Sequence, residues 1–138
     1  MAPLTGESRA KQLQVLAGTE KAYTLARKHN IKTAFGSDLL FSGTLAMRQV
    51  TMLTHLSRWY TAPEILKMAT ATNAELLGLS GPRNPYPGKL GVLEEGALAD
   101  LLLVDGNPTE NVQLVENPAK NFLIIMKDGK IYKNELNP

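Results

Sequence analysis

From Glu7 to His29 apolar residues return at Leu13, Leu16, Ala17, Ala22, Leu25 and Ala26 among Lys, Arg, Gln and Glu. That spacing predicts a helix with one face turned to a core. Asn30 stops it, because asparagine accepts the left-handed conformation that ends helices. Ile31-Lys32-Thr33-Ala34-Phe35-Gly36 then reads as a short buried strand closed by glycine. Helix, tight turn, strand is the signal of an α/β fold. Asp38 to Gly43 is a loop by its Gly and Ser content, after which Leu45, Gln49, Met52, Leu53, Leu56 and Trp59 mark a helix ending near Tyr60.

Thr61-Ala62-Pro63-Glu64 is a capping box with Pro in the first turn, so a new helix starts there and buries Ile65, Leu66 and Ala69. Thr72-Asn73-Ala74-Glu75 repeats the box and predicts a short helix from Ala74 to Leu77, closed by a left-handed Gly78. Between Ser80 and Pro87 three prolines fall close together, which neither a helix interior nor a central strand tolerates. That stretch is the best candidate for a domain junction. Beyond it strands are predicted at Leu90 to Leu93, Leu98 to Val104 and Phe122 to Met126, the last turning at Asp128-Gly129 into Lys130-Ile131-Tyr132.

Composition narrows the partners. Basic and acidic residues, 15 and 13, alternate along the chain and leave no cationic stripe for phosphates or anionic lipid, so neither nucleic acid nor a membrane surface is an expected partner. There is no cysteine, hence no disulfide and no CxxC metal site. No cationic flank with an apolar core opens the chain at Met1 to Gly6, and no apolar run is long enough to span a bilayer. A soluble protein is expected, cytoplasmic by default. At 138 residues the chain is one domain in size and well short of the about 250 that a complete (β/α)₈ barrel needs.

Candidate chemistry is sparse. Asp38 follows a predicted buried strand through Gly36-Ser37, the end of a strand where α/β folds build sites. By itself, however, Gly-Ser-Asp before a helix reads as turn and cap chemistry. His29 and His55 lack the spacing that puts two imidazoles on one ion; His29 reads as a helix-end residue and His55 as half-buried or a pocket wall. Ser37, Ser42 and Ser57 have no nucleophile elbow around them. Glu94 and Glu95 are read as flanking a turn at Gly96, Met47, Met52 and Met68 as core filler, and Trp59 and Tyr60 as anchors of a helix end.

The order of motifs carries more than any one of them. Lys32-Thr33-Ala34-Phe35-Gly36-Ser37-Asp38, Met68 to Gly78, Gly88 to Leu101, Val104-Asp105-Gly106-Asn107-Pro108 and Met126 to Tyr132 succeed one another as they do in the carboxyl-terminal part of the amidohydrolase family. The nearest branch resembles imidazolonepropionase-like and Xaa-Pro-dipeptidase-like hydrolases. The resemblance implies an α/β fold: the last helix-strand-helix units of a (β/α)₈ TIM-type barrel over residues 1–79, a Pro-rich junction at 80–87, and strands of a small β-sandwich over 88–138. The barrel would be incomplete in this chain.

It also implies that Asp38 is both catalytic and a metal ligand, taking the proton of the water that attacks an amide, cyclic amide or dipeptide C–N bond. The family's cofactor is a divalent metal, zinc by expectation, held chiefly by histidines on strands that this sequence lacks. No metal is therefore expected on this chain alone, nor hydrolysis by it. In the intact enzyme the partner would be a small-molecule amide. The chain itself is expected either to form a homo-oligomer or to need a further N-terminal segment, and the competing reading is a non-catalytic, self-associating α+β module. Leu39, Leu40 and Phe41 hint at an apolar pocket wall.

Overall fold

The computed structural model describes residues 5–39 and 42–136. The chain divides into two compact units at Thr33/Ala34. The first holds α1, Gly6–Lys28. Its end obeys the sequence: Asn30 is left-handed at φ 50°, its N–H donates to Arg27 O at 3.2 Å and that of Ile31 to Ala26 O at 2.8 Å. These two bonds close the last turn as a Schellman motif. The predicted apolar face is another matter, because none of the α1 residues is buried.

In the second unit α2, Gly43–Ala46, and α3, Gln49–Thr54, lead into a 3₁₀ turn, His55–Arg58. Then α4, Ala62–Lys67, a π-helical turn, Met68–Thr72, and α5, Asn73–Gly78, follow without interruption. The capping box at Thr61 forms as read, with Glu64 Oε2 accepting from Thr61 N at 2.7 Å. Ile65 is fully buried, while Leu66 and Ala69 are half-buried.

Two expectations about the second box fail. Thr72 is helical at φ −70°, ψ −38°, and caps nothing; the chain on its N-terminal side already supplies helical carbonyls, so no helix starts there. Gly78 is not left-handed either: the helix ends at Leu79, φ −67°, ψ −13°, and relaxes into tighter turns through Leu79 N to Leu76 O and Ser80 N to Leu77 O. The first positive φ afterwards is at Gly81.

The sheet has three antiparallel strands in the order β1-β2-β3: Leu101–Val104, Phe122–Lys127 and Lys130–Asn134. Asp128 and Gly129, at φ 49° and 74°, form the expected tight turn. β1 starts later than predicted, because Asp100 N turns back to Leu98 O at 2.8 Å. The predicted strand Leu90 to Leu93 does not form, and the nearest pairing is a single parallel bridge, Lys89 with Ala97. Gly91 explains why. Its φ is +72° and a Cβ there would stand 2.6 Å from Thr70 O, so this loop presses on the π turn instead of extending.

Leu53, Leu56, Ile65, Met68, Val112, Val115 and Phe122 form the core, where α3 and α4 meet the 3₁₀ turn Val112–Glu116. Met47, predicted as core, is 87% exposed, because the chain turns between α2 and α3 and carries it off the shared face. Among the described residues no helix is long and apolar enough to cross a membrane.

Candidate functional site

Residues 31–39 take no regular secondary structure. The predicted strand is therefore absent as a ladder, since a strand exists only by hydrogen bonding to a neighbour and none of the described strands lies beside this one. Within the second unit, one bond holds the part that leads to Asp38. Phe35 N donates to Asn73 Oδ1 at 2.8 Å, across 38 residues. Asn73, read from sequence as part of a capping box, instead lends its amide oxygen to the segment that ends in the candidate site.

Asp38 itself is left-handed, φ 48°, and exposed. This conformation costs an ordinary L residue about 1–2 kcal/mol, less for aspartate with its short polar side chain. The cap role is not its own: Ser42 caps α2, its hydroxyl accepting from Leu45 N at 3.3 Å. Neither Ser37 nor Asp38 makes a cap bond to that helix. A cap therefore does not account for Asp38, and a residue held in a sparsely populated conformation is a functional candidate.

The other candidates scatter. His29 closes α1, as expected. His55 opens the 3₁₀ turn and is exposed, not half-buried, lying off the side that buries Leu53 and Leu56. Ser57 donates to Thr54 O at 2.7 Å, which is local turn chemistry. Glu94 pairs with Lys89 beside the turn at Gly96, φ 82°. Trp59 is half-buried under the Arg58 guanidinium, 4.8 Å from the ring centre, and Tyr60 is half-buried beside it. Of the suggested apolar wall, Leu39 is half-buried, while Leu40 and Phe41 lie outside the described residues.

No group of three or more His, Cys, Asp or Glu able to hold a metal occurs among the described residues. Catalytic zinc sites take three protein ligands. The residues present thus do not fit such an ion, and Asp38 could at most be one of its ligands. The residue whose long-range contact the sequence reading missed is Asn73, which accepts from Phe35 N. Its signal was there: asparagine is a poor interior helix residue, and one placed after a continuous helical pattern asks what its amide bonds.

Residues 10–132 match the Amidohydrolase family. The chain belongs to that family. Ochratoxinase of Aspergillus niger is 36% identical over 132 residues, 94% of this chain and 25% of the relative. An amidohydrolase of known crystal structure superposes with a TM-score of 0.79 at 32% identity, covering 98% of this chain and 30% of that one. A prolidase crystallised with N-methylphosphonate-L-proline gives 0.76 at 28% identity, covering 95% and 30%. This amidohydrolase chain thus spans about a quarter of the length of the curated relatives it matches. Its similarity to hydrolases is therefore to one part of each, the part that in this chain is helices and a small sheet.

Proposed function

We propose that this chain supplies the carboxyl-terminal part of a hydrolase acting on C–N bonds of amides, cyclic amides or dipeptides, with Asp38 as its contribution to the site. The observation that carries the reading is the left-handed, exposed Asp38, close to the backbone pin between Phe35 and Asn73, with its cap role taken by Ser42. A prolidase among the structural neighbours supports the dipeptide end of the range. In this reading residues 1–79 are barrel units, 80–87 the junction and 88–138 strands of a β-sandwich.

Asp38 accepts a proton from the attacking water as its oxygen adds to the carbonyl carbon, then returns it to the nitrogen as the C–N bond breaks. Such proton transfer contributes on the order of 10²–10⁴-fold. Any divalent ion, zinc by the resemblance, would need its other ligands from outside the described residues, with Asp38 one among them. The test is a chimera in which residues 5–136 replace the matching stretch of the prolidase. It is expected to retain dipeptide hydrolysis, and Asp38→Asn is expected to lower kcat at least a hundredfold with the fold intact. A folded Asp38→Asn chimera with unchanged kcat would sink the assignment.

A second reading, a non-catalytic self-associating module, draws on α1, where Leu13, Val15 and Leu16 are 50%, 67% and 54% exposed. Sedimentation separates the two. A concentration-independent monomer removes the second reading.

A further inference from the structure

Asp38 holds a positive φ, 48°, and such conformations persist only where the surrounding structure fixes them. Something must therefore hold the segment that carries it. Of the bonds described for residues 34–39, the one that reaches another element runs from Phe35 N to Asn73 Oδ1, 2.8 Å. Phe35 is half-buried, and only Gly36 and Ser37 separate it from Asp38.

That bond lies within the chain and stands whatever else covers it. A backbone N–H has one hydrogen to give, and Phe35 gives it to a side chain. If residues 31–36 form a barrel strand, as the proposed function has it, a regular ladder would hand that hydrogen to a carbonyl of the neighbouring strand. Asn73 Oδ1 stands in that carbonyl's place. The ladder on that side therefore stops short of Phe35, and the stretch leading to Asp38 is fixed there by Asn73 and not by a strand.

Asn73 is braced for such a task. Asparagine in a helix tends to bond backbone nearby, yet this amide oxygen bonds backbone 38 residues away. It follows directly on the π turn Met68–Thr72, and such turns, one residue wider than an α turn, reset the face on which the next side chain falls and are frequent at functional sites. Met68 and Thr72 at the two ends of the turn are buried. From outside, Gly91 approaches so closely that a Cβ there would stand 2.6 Å from Thr70 O.

We propose that Asn73 is a positioning residue: by holding Phe35 N–H it keeps Asp38 in its left-handed conformation and so sets where the carboxylate stands. The catalytic consequence rests on the reading of Asp38 as proton acceptor; the conformational one does not. NMR on the full chain therefore tests it first. A residue at positive φ gives a strong cross-peak between its own amide and α protons, which come close together in that conformation. Asp38 is expected to show this cross-peak in the unaltered chain, in Asn73→Asp, which keeps an oxygen acceptor, and in Ile65→Val, which loosens the core without touching the bond. In Asn73→Leu, which fills similar space without an acceptor, the cross-peak is expected to vanish together with slow exchange of the Phe35 amide. Should that variant fail to fold, Asn73→Ser, with a side chain too short to keep the bond, reads the same way.

Retention of the Asp38 cross-peak in a folded Asn73→Leu overturns the proposal. So does its loss in Ile65→Val, which would make it a matter of general stability. In the prolidase chimera Asn73→Leu is expected to lower kcat about tenfold or more with KM little changed, as misplacement of a reacting group does, and Asn73→Asp to restore most of the loss. A chimera sensitive to Asp38→Asn but not to Asn73→Leu overturns the positioning role alone. One indifferent to Asp38→Asn removes the hydrolase reading, and the cross-peak then decides whether Asn73 sets the conformation of Asp38.

Discussion

Thr61-Ala62-Pro63-Glu64 and Thr72-Asn73-Ala74-Glu75 share a leading Thr and a Glu three residues on, and have opposite fates. The first begins a helix: Thr61 is extended at φ −73°, ψ 160°, and Glu64 Oε2 reaches back to its N–H and hydroxyl. The second lies inside a continuing helix, with Thr72 buried and the Asn73 amide engaged by Phe35. What separates them is what precedes each. Trp59 and Tyr60 end one helix before Thr61, and Pro63 fits only a first turn. Before Thr72 the π turn keeps supplying carbonyls, so its N–H groups are not orphans needing a cap. A cap motif is an offer, accepted only where the chain has left N–H groups open.

Substitutions tell the two boxes apart. The largest effect is expected just after the first box, at the fully buried Ile65. Ile65→Ala should cost about 2–5 kcal/mol in denaturant unfolding; a loss below about 1 kcal/mol would mean that the first box does not anchor its helix in the core. Next is Gly91→Ala, which strains a positive φ and drives a methyl towards Thr70 O. Roughly 2–3 kcal/mol is expected, and a neutral outcome would show that the π turn yields.

Thr61→Ala should remove about 1 kcal/mol, a cap effect visible as lost helical dichroism. Asn73→Ala should cost about the same by a different route, leaving Phe35 N–H without its acceptor. Its signature is faster amide exchange at Phe35, with Asn73→Asp restoring protection. If Asn73→Ala instead frays α5 while Phe35 stays protected, the second box is a cap after all. Smallest is Gly129→Ala in the hairpin, φ 74°, at about 1 kcal/mol or less.

Much of the helical half was legible from spacing, as the Asn30 stop and the Thr61 start show. The candidate site was legible only in part. Asp38 stood out through its place after an apolar segment and through the order of motifs around it, yet local reading also offered it as a cap, and only the bond from Leu45 N to the Ser42 hydroxyl assigns that role elsewhere. Asn73 was hidden because its partner, Phe35, is 38 residues away. Met47 was misjudged for a related reason: it depends on a break between helices that periodicity assumes away.

Features whose bonds close within a few residues follow from residue order alone: the left-handed end of α1 at Asn30, the box at Thr61, the Asp128-Gly129 turn. Their donors and acceptors lie on the same short stretch, so residue type alone satisfies them. Long-range packing set the rest: that 31–39 has no ladder, that Gly91 abuts Thr70, and that Asn73 holds Phe35. In each of these a backbone group meets, or fails to meet, a group tens of residues away, and no local pattern records whether that partner arrives.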